Sequence, residues 1–284
     1  MLNKNIQTFI GCDADYEQAT HVLYGVPFDG TTSYRPGTRF GPSAVRAESF
    51  GLETYSPYQD KDLTDYQIFD SGDLELPFGN PERVLQLIEE RASNILTDGK
   101  LPFMVGGEHL VTLGAVRAAF KKYPDLHIVH FDAHTDLRDD YLGEKLSHAT
   151  VLRRCHDLVG DHKMYHFGIR SGDRPEFEWA KEHTNLQKFN FNGLSEALEA
   201  IGDKPVYFTI DLDVLDPSEF PGTGTPEAGG VTYLQLLDAL TEVSQKANVV
   251  ACDVNELAPI YDPSGRSTAL AGKVIREFLI ALQK

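Results

Sequence analysis

Three stretches of the chain gather metal-type donors at spacings that aim them together. In IVHFDAHTD, Asp132, His134 and Asp136 stand at i, i+2 and i+4, so an extended backbone leaving a strand turns all three side chains the same way. YFTIDLDVLD carries Asp211 and Asp213 with the same period, and FMVGGEH delivers His109 behind paired glycines. Carboxylates crowded in this way repel one another and resist desolvation, and divalent cations remove both costs. Mostly oxygen donors with one or two imidazoles suit a borderline-hard ion such as Mn²⁺, whereas zinc recruits more histidine or thiolate. These donors are too many for one tetrahedral ion and about enough for two ions sharing carboxylates and a water. The expected partition gives one ion His109, Asp132, Asp136 and Asp211. The other takes Asp132, His134, Asp211 and Asp213, so Asp132 and Asp211 bridge. Asp216, before Pro217, reads as a turn cap, and His130 as a support for Asp132 rather than a ligand.

The elements that must position these donors are short apolar runs bounded by turn residues: HVLYGV (21–26), QIFD (67–70), LPFMVGG (101–107), HIVHFDAH (127–134), KMYHFGIR (163–170), PVYFTIDLD (205–213) and NVVACDV (248–254). Consecutive apolar positions mark strands covered on both faces. Helical stripes lie between them. The clearest runs from Pro81 through Val84, Leu85, Leu87, Ile88, Ala92, Ile95 and Leu96, with Asn80 as N-cap; a second follows Thr232, and a last one runs from about Ala269 to the C-terminus. This alternation predicts one α/β domain over 1–284, with a mostly parallel sheet between helical layers. Ligands of such sheets bind beyond the carboxyl ends of the strands, where the donors fall.

Composition narrows the partners. Lys+Arg 26 against Asp+Glu 43 gives a formal net charge of −17, which opposes nucleic-acid binding and favours cationic ligands. The three cysteines, Cys12, Cys155 and Cys252, are widely spaced and read as buried small hydrophobes in a cytoplasmic protein. The first twenty residues lack a basic flank followed by an apolar run, and no stretch reaches the length of a membrane span, so no membrane partner is expected.

With these residues in view, the sequence resembles the ureohydrolase family of arginases and agmatinases. The resemblance rests on GGEH (106–109), FDAHTD (131–136), TIDLDVLDPSEFPGTGTPEAGG (209–230) and DVNELAP (253–259). GVPFDGTTSYRPGTRFGPSAVR (25–46) is agmatinase-like. The resemblance implies a three-layer arginase-like fold with a mainly parallel eight-stranded sheet, a binuclear manganese centre on the same six donors, and assembly as a trimer or hexamer. It further implies that a water shared by the ions attacks a guanidinium carbon, that Asp136 passes a proton to the departing amine, that Glu256 receives the guanidinium, and that His148 shuttles protons. Two positions depart from the family pattern: Glu108 replaces the usual Asp before the metal histidine, and Ala149 replaces the glycine after His148.

Among small cationic guanidino substrates, agmatine, cleaved to putrescine and urea, is the expected one. Asp139, Asp140 and Glu144 would attract its second positive end. Arginine and 4-guanidinobutyrate are the alternatives, the latter if Arg138 or Arg153 meets a distal carboxylate. Tyr34 and Arg39 either border the pocket or fix their loop. A deacetylase of acylpolyamines using one metal, and a non-catalytic protein stapled by cations, are the competing classes.

Overall fold

A computed structural model describes residues 7–283. The first six residues of the stretch read for targeting signals, and Lys284 at the end of the last expected helix, lie outside the described residues.

In chain order the strands are β1 (His21–Gly25), β2 (Tyr55–Ser56), β3 (Lys61–Asp62), β4 (Ile68–Asp73), β5 (Leu101–Val105), β6 (His127–Phe131), β7 (Met164–Ile169), β8 (Asn185–Lys188), β9 (Pro205–Asp211) and β10 (Asn248–Asn255). β2 and β3 form an antiparallel ribbon. The other eight make one sheet in the order β4-β1-β5-β10-β9-β6-β7-β8, every pairing parallel. The apolar runs supply seven of these strands. The eighth, β8, is a half-exposed NLQK at the edge, with no apolar run to announce it.

Helices α2 (Pro81–Thr97), α3 (Thr112–Lys122), α4 (Val151–Val159) and α5 (Arg174–His183) cover one face of the sheet. Helices α1 (Gly41–Ser49), α6 (Leu194–Ile201), α7 (Tyr233–Lys246) and α8 (Arg266–Ala281) cover the other. Successive strand residues therefore enter different cores: Leu23 packs on the α8 side, Val22 and Tyr24 on the α2 side. Asn80 caps α2 through Arg83 N at 3.0 Å, with Pro81 in the first turn, and Thr232 and Gln235 form a capping box on α7. Helix α8 begins at Arg266, three residues before its expected start, because Asp262 reaches forward to hold Ser267 N at 2.7 Å.

What the fold does for the site is set by strand order. β5, β10, β9 and β6 are consecutive neighbours in the middle of the sheet, although they stand far apart in sequence. At roughly 4.8 Å per strand their carboxyl ends lie within about 15 Å of one another.

Candidate metal centre

Each of these four strands ends in residues expected at the site. β6 runs into Asp132 and His134, β9 into Asp211 and Asp213, β5 into the 3-10 turn that starts at His109, and β10 into Glu256. Asp132, Asp136, Asp211, Asp213, His109 and Glu256 are buried, and His134 is half-buried. His109 Nδ1 stands 3.1 Å from Asp132 Oδ2, 3.1 Å from Asp136 Oδ2 and 3.5 Å from Asp211 Oδ2. His134 Nδ1 stands 3.0 Å from Asp213 Oδ2 and 3.5 Å from Asp132 Oδ1. The two oxygens of Asp132 thus face two different imidazoles, and the donors fall into two adjacent sets that could each hold a cation.

Asp136 does not arrive by simple alternation. The backbone pairs at His134 with Ser171 and then turns left-handed, with Asp136 at φ 51°. Burial, reinforced by the Asp132 charge, pushes the Asp136 carboxyl up to about 7, and burial beside Asp213 and Asp132 raises Asp211 well above the carboxylate range. Burial alone would lower His109, but hydrogen bonds to Asp132 and Asp136 outweigh it and raise the imidazole. A group of anions with this mutual cost is chemically suited to divalent cations.

Behind the donors lies a hydrogen-bonded backing. His109 Nε2 meets Thr209 Oγ1 at 2.9 Å, and Thr209 donates to Asp253 Oδ1 at 2.5 Å. Asp253 also accepts from Thr112 Oγ1 at 2.8 Å and Asn255 Nδ2 at 2.7 Å. With Nε2 committed to Thr209, Nδ1 is the nitrogen aimed at the three carboxylates, and on losing its proton it would offer its lone pair to a cation held there. His130 Nε2 lies 2.8 Å from Asp132 Oδ2, and its Nδ1 lies 2.8 Å from His166 Nδ1 on the neighbouring strand. His130 is therefore held from behind, which fits support of Asp132. The spacing argument missed Thr209, Asp253 and His166. Thr209 and Asp253 each sit two residues before a residue already singled out or its neighbour, so the same period-two rule could have found them.

Glu256, at φ 67°, accepts His109 N at 2.7 Å through Oε1, and Oε2 accepts no hydrogen bond among the described residues. Burial and the charges of Glu108 and Asp213 raise its carboxyl well above the usual range. Glu108 points away from the donors. It accepts Thr31 N at 3.0 Å and Thr32 Oγ1 at 2.9 Å, and Thr31 Oγ1 closely, so the departure at this position ties down the 25–46 stretch. Arg39 pairs with buried Asp29, which also accepts Gly37 N at 2.7 Å, so Arg39 fixes that loop; Tyr34 is exposed.

A cavity of about 200 Å³ opens onto the donors, lined by Ser33, His134, Asp136, Arg138, Tyr141 and His148 among others. His148 Nε2 accepts Ser33 N at 3.1 Å, and burial lowers its imidazole to about 4. The acidic run lies elsewhere than expected. Asp139 binds Arg154 at 2.8 Å, Asp140 accepts Gly143 N at 3.0 Å, and exposed Glu144 lines a neighbouring hollow, because a turn at 140–144 carries them past the rim. Besides Asp136, the acids at the cavity wall are Asp173 and Glu176, which flank Arg138 at 2.5 and 3.7 Å. Arg153 lies over Trp179, outside this cavity. Asp216 accepts Ser218 N at 2.9 Å, Gly229 N at 2.9 Å and Gly230 N at 3.0 Å, closing the 217–230 loop as a cap.

The arginase family profile matches residues 19–281. The chain belongs to the arginase family. It is 52% identical over 281 residues to an agmatinase of Bacillus subtilis, which covers 98% of this chain and 97% of that one. It is 37% identical over 261 residues to an N(1)-aminopropylagmatine ureohydrolase of Thermococcus kodakarensis, covering 89% and 88%. The crystal structure of the agmatine ureohydrolase of Thermoplasma volcanium matches it with a TM-score of 0.89 at 35% identity, over 99% of this chain and 95% of that one. This arginase-family protein is an agmatinase-like ureohydrolase acting on a guanidino compound, with a divalent metal cofactor. No described helix is long and apolar enough to cross a membrane.

Proposed function

We propose that this protein hydrolyses agmatine to putrescine and urea at a pair of manganese ions, held by His109, Asp132, Asp136 and Asp211 and by Asp132, His134, Asp211 and Asp213. The observation that carries the pairing is the Asp132 carboxylate, whose two oxygens face different imidazoles within 3.1 and 3.5 Å. The ions, when bound, acidify a water enough for it to attack a weak electrophile at neutral pH.

The chain's own residues do the rest. Glu256 receives the guanidinium through its free oxygen, and the arriving cation favours the carboxylate form that burial alone disfavours. Asp136 takes the proton of the attacking water and gives it to the departing amine. His148, kept neutral with Nε2 bonded to Ser33, moves protons along the cavity wall.

Agmatine is favoured over 4-guanidinobutyrate because the guanidinium at the cavity, Arg138, is already neutralised by Asp173 and Glu176 and stacked 4.7 Å from Tyr141. A distal carboxylate would have to compete with both acids. A homotrimer or homohexamer in the cytoplasm completes the proposal.

Urea release from Mn²⁺-loaded protein, measured in parallel on agmatine, arginine and 4-guanidinobutyrate, tests it. Agmatine should lead by about a hundredfold or more in kcat/KM. Comparable rates on the carboxylate-bearing compounds would remove the substrate assignment. One metal per chain at full activity would favour single-ion deacetylase-type chemistry.

A further inference from the structure

At the opposite edge of the sheet, three metal-type donors converge that the centre described above does not use. His156 lies in the last turn of α4, Asp161 in the turn into β7, and His183 ends α5. His156 Nε2 and His183 Nδ1 approach the same oxygen, Asp161 Oδ1, at 2.8 and 2.7 Å, and the three donor atoms all lie within 4.8 Å of one another. They sit at the amino ends of β7 and β8, roughly 20 Å from the other site, the length of a six-residue strand.

The donors are held in place before any ligand arrives. Gly160, at φ 83°, closes α4 by bonding His156 O at 2.9 Å, and His162, at φ 61°, bonds His183 O at 2.7 Å. Asn185 Nδ2 reaches His162 O at 3.2 Å. The Trp179 ring stacks on His183 with centroids 4.4 Å apart and meets His156 edge-on at 4.6 Å, and the Arg153 guanidinium covers that ring at 4.0 Å. Both imidazole planes are therefore fixed by packing. Asp161 is largely exposed, so water can complete a coordination shell.

We propose that His156, Asp161 and His183 form a third cation site, for a zinc-class divalent ion that clasps the ends of α4 and α5. Two imidazoles and one carboxylate suit zinc, nickel or copper better than manganese or magnesium. Tetrahedral donors about 2.1 Å from zinc stand about 3.4 Å apart, so each imidazole need retreat only about 0.6 Å from Asp161.

The test uses untagged protein saturated with Mn²⁺, exposed to Zn²⁺, desalted and assayed for both metals per chain, with melting temperature and urea release measured alongside. The native protein should keep one zinc beyond its manganese and melt higher with it. His156→Ala and His183→Ala should each lose that zinc and the melting gain, while manganese content and urea release stay unchanged. Asp161→Asn, a milder change that keeps the turn, should weaken zinc uptake about tenfold or more. Native protein that takes no zinc beyond displaced manganese, or folded variants that take as much as the native chain, would overturn the site.

Discussion

Asp136 and Glu256 share a backbone feature that side-chain chemistry does not require: both are non-glycine residues with positive φ, at 51° and 67°. Each costs roughly 1 kcal/mol or more, and glycine would relieve the strain while losing the carboxyl group. The strain lets a loop residue turn back over the strand ends. Asp136→Asn should keep its metal content and lose about 100-fold or more in urea release; full turnover in that variant would refute the proton-transfer role. Thr209→Val, nearly isosteric, frees the His109 ring from Asp253 and should weaken metal affinity about 10- to 100-fold with little change in fold, read by metal titration. At this scale the sequence was informative for groups that can bind metal. Asp132, His134, Asp211 and Asp213 follow from period two alone. Thr209 obeyed the same period, but a hydroxyl carries no metal signature, and Asp136 met its partners through a turn that alternation cannot foresee.

Loops and helix starts show how carboxylates position whole elements. Glu108 gives its oxygens to Thr31 and Thr32, so Glu108→Gln places an amide donor against an N–H and should raise KM for the guanidino substrate about tenfold with metal content retained. An unchanged KM would detach that loop from substrate binding. Asp262 holds the start of α8 through Ser264 and Ser267. Burial works to raise its carboxyl, and the serine hydrogen bonds overcome this and hold it near 2. Because the folded value lies below the unfolded value of about 3.9, its stabilisation is complete above about pH 4 and lost as pH falls toward 2. Asp262→Ala should therefore lower stability by about 1–2 kcal/mol at pH 7 and close the gap to the native protein by pH 2, measured by denaturant melts. The cap of α2 was legible because cap and first turn are contiguous. The start of α8 was not, because its anchoring residue lies outside the apolar stripe, and β8 was hidden by having one edge in water.

For the whole molecule, the centre draws on strands that are neighbours in space and strangers in sequence. Alternating apolar runs and helical stripes revealed a parallel sheet between helices, yet nothing local in them orders β5, β10, β9 and β6 side by side; the resemblance to a family implied eight strands and the same six donors, and the strand order came only with the structure. Removing divalent cations should lower the melting temperature, and saturating Mn²⁺ at about 100 times its dissociation constant should add about 2.7 kcal/mol for each ion bound. Melting that ignores both chelator and metal would leave the donors without a ligand.

The central quartet also has a consequence in time. A chain must have closed contacts from His109 to Asp213, across more than a third of its length, and inserted β10 between β5 and β9, before both donor sets stand side by side, so nascent or truncated chains have no complete receptor to fill. Cations then act after the rate-limiting step: they should slow unfolding severalfold while leaving the refolding rate almost unchanged.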